Sequence, residues 1–107
     1  MRIQLFAAAT AFGWVDAKVM DRSMGVIGGI LQPSVDYFTD FQPFFRAHLQ
    51  QPRWEQLTAL QLQGVTSTNM KLDCAGGIYI IDVDGYSEIE VELCGIDFSV
   101  VESLFSN

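Results

Sequence analysis

Ile78-Tyr79-Ile80-Ile81-Asp82-Val83-Asp84-Gly85-Tyr86-Ser87-Glu88-Ile89-Glu90-Val91-Glu92-Leu93 is the stretch that decides the fold. Apolar and polar residues alternate around Asp84-Gly85, a pair that tolerates the positive φ angles of a two-residue type I′ turn. These residues predict a β-hairpin with Val83 opposite Tyr86, Ile80 opposite Ile89 and Ile78 opposite Val91. Successive side chains on a strand point to opposite faces, so Ile78, Ile80, Ile89, Val91 and Leu93 share one face. Tyr79, Ile81, Glu88, Glu90 and Glu92 share the other, with Tyr86 at the turn. One face suits a core and the other suits water.

Upstream, the same periodicity predicts further strands. Ile3 to Ala9 reads as one, followed by a small-residue bend and a second from Trp14 to Met20, where Val15, Ala17 and Val19 alternate with Asp16 and Lys18. Met24 to Leu31 is apolar on both faces, and its glycines suggest a bulge or the close approach of another backbone. Met70, Leu72 and Cys74 alternate with Lys71 and Asp73 up to Gly76-Gly77, after the turn residues Thr66 to Asn69. Trp54 to Gln63 carries both periods and predicts a short helix or turn, then a strand from Thr58.

Pro33-Ser34 predicts the end of a strand and the start of a helix, with Ser34 as N-cap. Phe38, Phe41, Phe45 and Leu49 recur at spacings of three, four and four, which places them on one apolar stripe, the expected core face. Pro43 inside that pattern kinks or divides the helix, and Asp40 is the natural second N-cap if it divides. Asp97 to Phe105 predicts a short terminal helix capped by Asp97, with Phe98, Val101, Leu104 and Phe105 inward. Together these elements predict one α+β domain over residues 1–107. A mainly antiparallel sheet of about six strands, curved or barrel-like, packs on one aromatic-rich helix, with a short C-terminal helix. One curved sheet, an open barrel and two packed layers all satisfy the pattern.

Charge is distributed unevenly. Residues 1–72 hold all six Lys and Arg against five acids, whereas residues 73–107 hold eight acids and no base. That acidic third disfavours direct binding of nucleic acid or an anionic membrane, both of which need clustered Lys and Arg. Gln4 interrupts the apolar N-terminal run, and no apolar stretch approaches the roughly 20 residues of a membrane span. The expected location is cytoplasmic.

Motifs for chemistry are sparse. Aligning Gly85 with the glycine of an EF-hand loop puts Ile80 and Val91 at essential ligand positions, so that reading fails and no metal or cofactor is expected. Cys74 and Cys94 with the single His48 cannot complete a structural zinc site. Neither cysteine has a basic neighbour to activate it, and no phosphate-binding or nucleophile-elbow motif is present. His48 is expected beside Phe44 and Phe45. Arg46, on an otherwise apolar helix, is expected to pair with Asp16 or Asp21.

The stretch Asp21-Arg22-Ser23-Met24-Gly25-Val26-Ile27-Gly28-Gly29, with Pro33, Tyr37, Phe45-Arg46 and the acidic Glu88 to Asp97 segment, resembles small uncharacterised bacterial proteins of unknown function. That resemblance implies a small bacterial protein and brings no activity.

Two functional classes remain. The first is a non-enzymatic interaction domain, an inhibitor, immunity or accessory protein, that binds a basic partner through Tyr79, Ile81, Tyr86, Glu88, Glu90 and Glu92. Charge steers association and aromatics anchor it. A nucleic-acid mimic is a special case, because alternate glutamates on a strand lie about 6.8 Å apart. The second is a ligand-binding protein or enzyme with a pocket between the aromatic helix and the Gly-rich strand, formed by Asp21, Phe41, Phe45, Arg46 and His48. Self-association into a homodimer through a sheet edge, Trp14 or Phe12 is a further reading.

Overall fold

The computed structural model describes residues 1–106. Eight strands run β1 Arg2–Ala7, β2 Thr10–Asp16, β3 Lys18–Asp21, β4 Val26–Pro33, β5 Leu62–Thr66, β6 Lys71–Leu72, β7 Gly77–Ile81 and β8 Glu90–Cys94. Four helices, α1 Tyr37–Asp40, α2 Gln42–Gln50, α3 Trp54–Ala59 and α4 Phe98–Phe105, complete the α+β fold. All pairings are antiparallel, in the order β6-β5-β1-β2-β4-β8-β7, with β3 also on β4. No helix among the described residues is long and apolar enough to cross a membrane.

Topology forces this sheet to curl. Its path ends at β6 and β7, which only Asp73 to Gly76 connect. Seven flat strands would put the end strands about 29 Å apart, but the linking chain reaches at most about 18 Å. The sheet therefore closes into a half-barrel around the core. A Cβ on Gly64 of β5 would lie 2.6 Å from Leu93 Cδ2 of β8, so strands far apart in the order meet across the interior.

β4 is the strand about which the sheet bends. Val15 faces Leu31 and Lys18 faces Gly28 in one continuous register, so β2 and β3 form a single ribbon along β4. The ribbon begins at Thr10 rather than Trp14 and is interrupted at Ala17, whose N–H turns to the Met1 carbonyl at 2.7 Å. At the bend, a Cβ on Gly28 would meet the Val91 carbonyl, and one on Gly29 the Asp16 carbonyl. The Gly-rich segment thus marks close backbone approach, as its composition suggests.

The aromatic helix departs from its expected phase. Pro43, which has no N–H to lose, sits in the first turn of α2, and the helix divides at Phe41, which takes the N-cap place expected of Asp40. The break swings Tyr37 fully into the core, while Phe38 is 51% exposed and Leu49 42% exposed. Only Phe41 and Phe45 of the predicted stripe pack inward, joining Phe12 at ring-centroid distances of 5.2 and 6.1 Å. Ser34 does not cap: Asp36 holds that place, and the Ser34 hydroxyl is buried without a partner among the described residues.

Other boundaries shift less. α3 extends to Ala59, so its strand begins at Leu62 rather than Thr58, and the strand predicted from Met70 to Cys74 shortens to Lys71–Leu72. Asp97 caps α4 by accepting from the Ser99 N–H at 2.9 Å. Val101 is buried and Leu104 and Phe105 are half-buried, but Phe98 turns outward.

Candidate functional site

The β7–β8 pair keeps the predicted faces but not the predicted register. Ile80 faces Val91 and Ile78 faces Leu93, two residues away from the expected pairing. A shift of two preserves every side chain's face, so Ile78, Ile80, Ile89, Val91 and Leu93 are all buried. Regular pairing stops at Ile81 and Glu90, and residues 82–89 form a loop. Asp84-Gly85 does turn there, with the Tyr86 N–H donating to the Val83 carbonyl at 3.1 Å. Only Gly85 has positive φ, at 93°, which matches a type II rather than a type I′ turn.

Asp82 explains the change. It continues the inward parity of Ile78 and Ile80, and its side chain is 0% exposed. Tyr37 Oη donates to its Oδ2 at 2.7 Å, Gln42 Nε2 to the same oxygen at 3.0 Å, and Arg46 Nε to Oδ1 at 3.1 Å. A buried carboxylate is tolerated only when its lone pairs are filled, and here two helices fill them. Burial alone pushes this carboxyl up, but the Tyr37, Gln42 and Arg46 donors outweigh it and hold it below the usual carboxylate range. Burial, reinforced by the bond to Asp82, raises the Tyr37 phenol above its ordinary value. The network ties α1 and α2 to the loop and opens the hairpin.

Arg46 therefore pairs with Asp82 and, through Nη1 at 3.1 Å, with Asp84, not with Asp16 or Asp21. Asp21 is engaged at the end of β3 by Ser23 Oγ at 2.7 Å and the Met24 N–H at 3.1 Å. His48 stacks on Phe44, as expected, and its Nδ1 accepts the Arg53 N–H at 2.8 Å. That bond commits the ring nitrogen to the α2–α3 connection. Cys74 and Cys94 are free thiols. No group of three His, Cys, Asp or Glu among the described residues is placed to hold a metal ion.

The loop that Asp82 opens leaves a cavity of about 340 Å³ lined by Ile81, Val83, Tyr86, Ser87, Glu88 and Glu90. Four predicted contact residues thus surround one concavity. Tyr79 and Glu92 line a neighbouring cavity of about 200 Å³, together with Phe45, His48, Leu49, Leu57 and Ile81. Ile81 belongs to both, so the two candidate sites read from the sequence meet at this strand. The second wall of the helix pocket is β7, not the Gly-rich strand, and Asp21, Phe41 and Arg46 do not line it.

Asp82, Tyr37 and Gln42 are the site residues that sequence reasoning missed. The available signal was an acid on the core parity of a strand, which requires buried donors. Among known proteins the chain matches no family model, no curated protein and no solved structure.

Proposed function

We propose that the chain is a small non-enzymatic interaction domain that binds a basic protein partner through the Tyr86–Glu90 face. The observation that supports this reading is the 340 Å³ concavity, where Ile81, Val83 and Tyr86 supply apolar surface beside Glu88 and Glu90. Tyr86 is 72% exposed and Val83 43%, so both are open to a partner. Neither Glu88 nor Glu90 has an ion-pair partner among the described residues. Apolar anchor and acidic rim match the anatomy of a steered protein interface. The same charge opposes nucleic acid and anionic membrane as direct partners.

Retention on the immobilised chain, with bound proteins identified by mass spectrometry, tests it beside a Glu88→Lys/Glu90→Lys/Glu92→Lys variant. A basic protein held by the native chain alone, and released by salt, is the expected result. Equal retention of every protein by both forms would overturn the reading. A small-ligand pocket is supported by the apolar walls of Phe45 and Leu57 around a cavity of about 200 Å³. Its polar candidates, Arg46 and His48, are already engaged by Asp82, Asp84 and Arg53.

A further inference from the structure

β7 ends the sheet: it pairs with β8 and with no other strand. Which of its backbone groups face the free edge follows from the hydrogen bonds. The Leu31 N–H donates to the Ile89 carbonyl at 2.7 Å, so the Ile89 backbone faces β4. Backbone direction alternates along an antiparallel strand, which turns Val91 and Leu93 to β4 and Glu90, Glu92 and Cys94 to β7. The Gly76 N–H, bonded to the Cys94 carbonyl at 2.9 Å, agrees. Tyr79 and Ile81 then bond inward to β8, the Gly77 N–H turns instead to the Cys74 carbonyl at 2.9 Å, and Ile78 and Ile80 present N–H and C=O at the outer edge. Among the described residues no protein group bonds to those two donors and two acceptors.

Sheets usually protect such an edge by laying a helix against it. Here α2 approaches β7 without pairing to it, and cavities remain between the strand and the helices. The 200 Å³ cavity separates Ile80 from Leu49 and Leu57, and a further cavity of about 330 Å³ separates Gly77 to Tyr79 from Trp54, Leu57 and Leu62. Ile78, Tyr79 and Leu57 line both, and Ile81 continues into the acidic concavity. The result is one groove along the whole of β7, at the seam where the half-barrel stays open.

We infer that this groove takes an extended peptide segment of the partner, added as a further strand on β7, with apolar residues alternating with Lys or Arg. The inference rests on the basic-partner reading above and specifies its binding mode. The added strand meets the Ile78 and Ile80 backbone groups. Its alternate side chains face Phe45, Leu49 and Leu57 on one side and Tyr79, Glu90 and Glu92 on the other. A second copy of this chain is the poorer occupant, because edge pairing would bring Glu90 and Glu92 of two copies side by side.

Selection of displayed random nonapeptides on the full chain supplies a probe. The most enriched peptide is then synthesised in its native form and with N-methyl groups on alternate residues, in each of the two phases. Enriched sequences should alternate apolar with basic residues. One N-methyl phase should weaken binding roughly tenfold or more while the other leaves it unchanged, and binding should slow amide exchange at Ile78 and Ile80. If basic peptides bind, are lost on Glu88→Lys/Glu90→Lys, yet tolerate both phases with no protection of Ile78 and Ile80, strand addition is wrong and the acidic face stands. Enrichment of no basic peptide overturns both. Concentration-dependent dimers that protect Ile78 and Ile80 without peptide would make a second copy the occupant and overturn the peptide assignment.

Discussion

Replacing Asp82 with Asn preserves the shape of the buried carboxylate and removes its charge. An amide has one acceptor oxygen. If that oxygen stays with Tyr37 and Gln42, the NH2 group faces Arg46 Nε, a donor against a donor across what is now 3.1 Å. The loss is one charge-assisted hydrogen bond, about 1.5–3 kcal/mol, and the mismatch left behind puts the total near the upper end. Tyr37→Phe removes one bond to a carboxylate that keeps two other donors, at a cost of about 1–2 kcal/mol. The two groups touch, so the double variant should lose about 1 kcal/mol less than the sum. Urea unfolding followed by Trp14 and Trp54 fluorescence would measure each term. The pH dependence is a second check. The folded carboxyl lies below its ordinary 3.8, so its contribution is fully present above that pH and lost as pH falls toward the folded value. The gap between native and Asp82→Asn proteins should therefore narrow below about pH 4. A cost under 0.5 kcal/mol, strict additivity, or a gap unchanged between pH 7 and pH 3 would refute the account of why the loop opens.

Further outcomes follow from particular residues. Gly64→Ala would place a Cβ 2.6 Å from Leu93 Cδ2 and 3.1 Å from Ile3 Cγ2, so unfolding curves should show a loss of about 1–3 kcal/mol. Ala8 turns the β1–β2 hairpin at φ 53°, and Ala8→Gly should gain about 0.5–1 kcal/mol in the same assay after the entropy of the unfolded chain is counted. Burial, then Asp73 and Cys94 nearby, pushes the Cys74 thiol up to about 11. Its reaction with a disulfide reagent should keep climbing, roughly tenfold per pH unit, beyond pH 9, and a plateau there would contradict the burial.

Local periodicity made much of the fold legible. The inward set Ile78, Ile80, Ile89, Val91 and Leu93 depends only on parity, which survives a register shift of two, and all five are buried. Asp97 as a cap and Thr66 to Asn69 as a turn depend on short-range hydrogen bonds and positive φ, and both are found. Ile81, Tyr86, Glu88 and Glu90, the residues expected to make contact, line one cavity because neighbours on one strand face and its loop cannot scatter far.

What lay beyond reach was set by partners distant in the chain. Asp82 meets Tyr37, Gln42 and Arg46 across 36 to 45 residues, and no local pattern states that an acid will find three donors there. That network decided the loop, the type of turn and the fate of Arg46. By itself the sequence determined which side chains face inward along each strand, where the chain turns, and that its last third is acidic, because alternation and charge are properties of neighbouring residues. Tertiary structure decided the register of β7 on β8, the phase of the aromatic helix and the open seam along β7. Each of these is settled by contacts that exist only once the sheet has curled and brought its ends within reach of one short link.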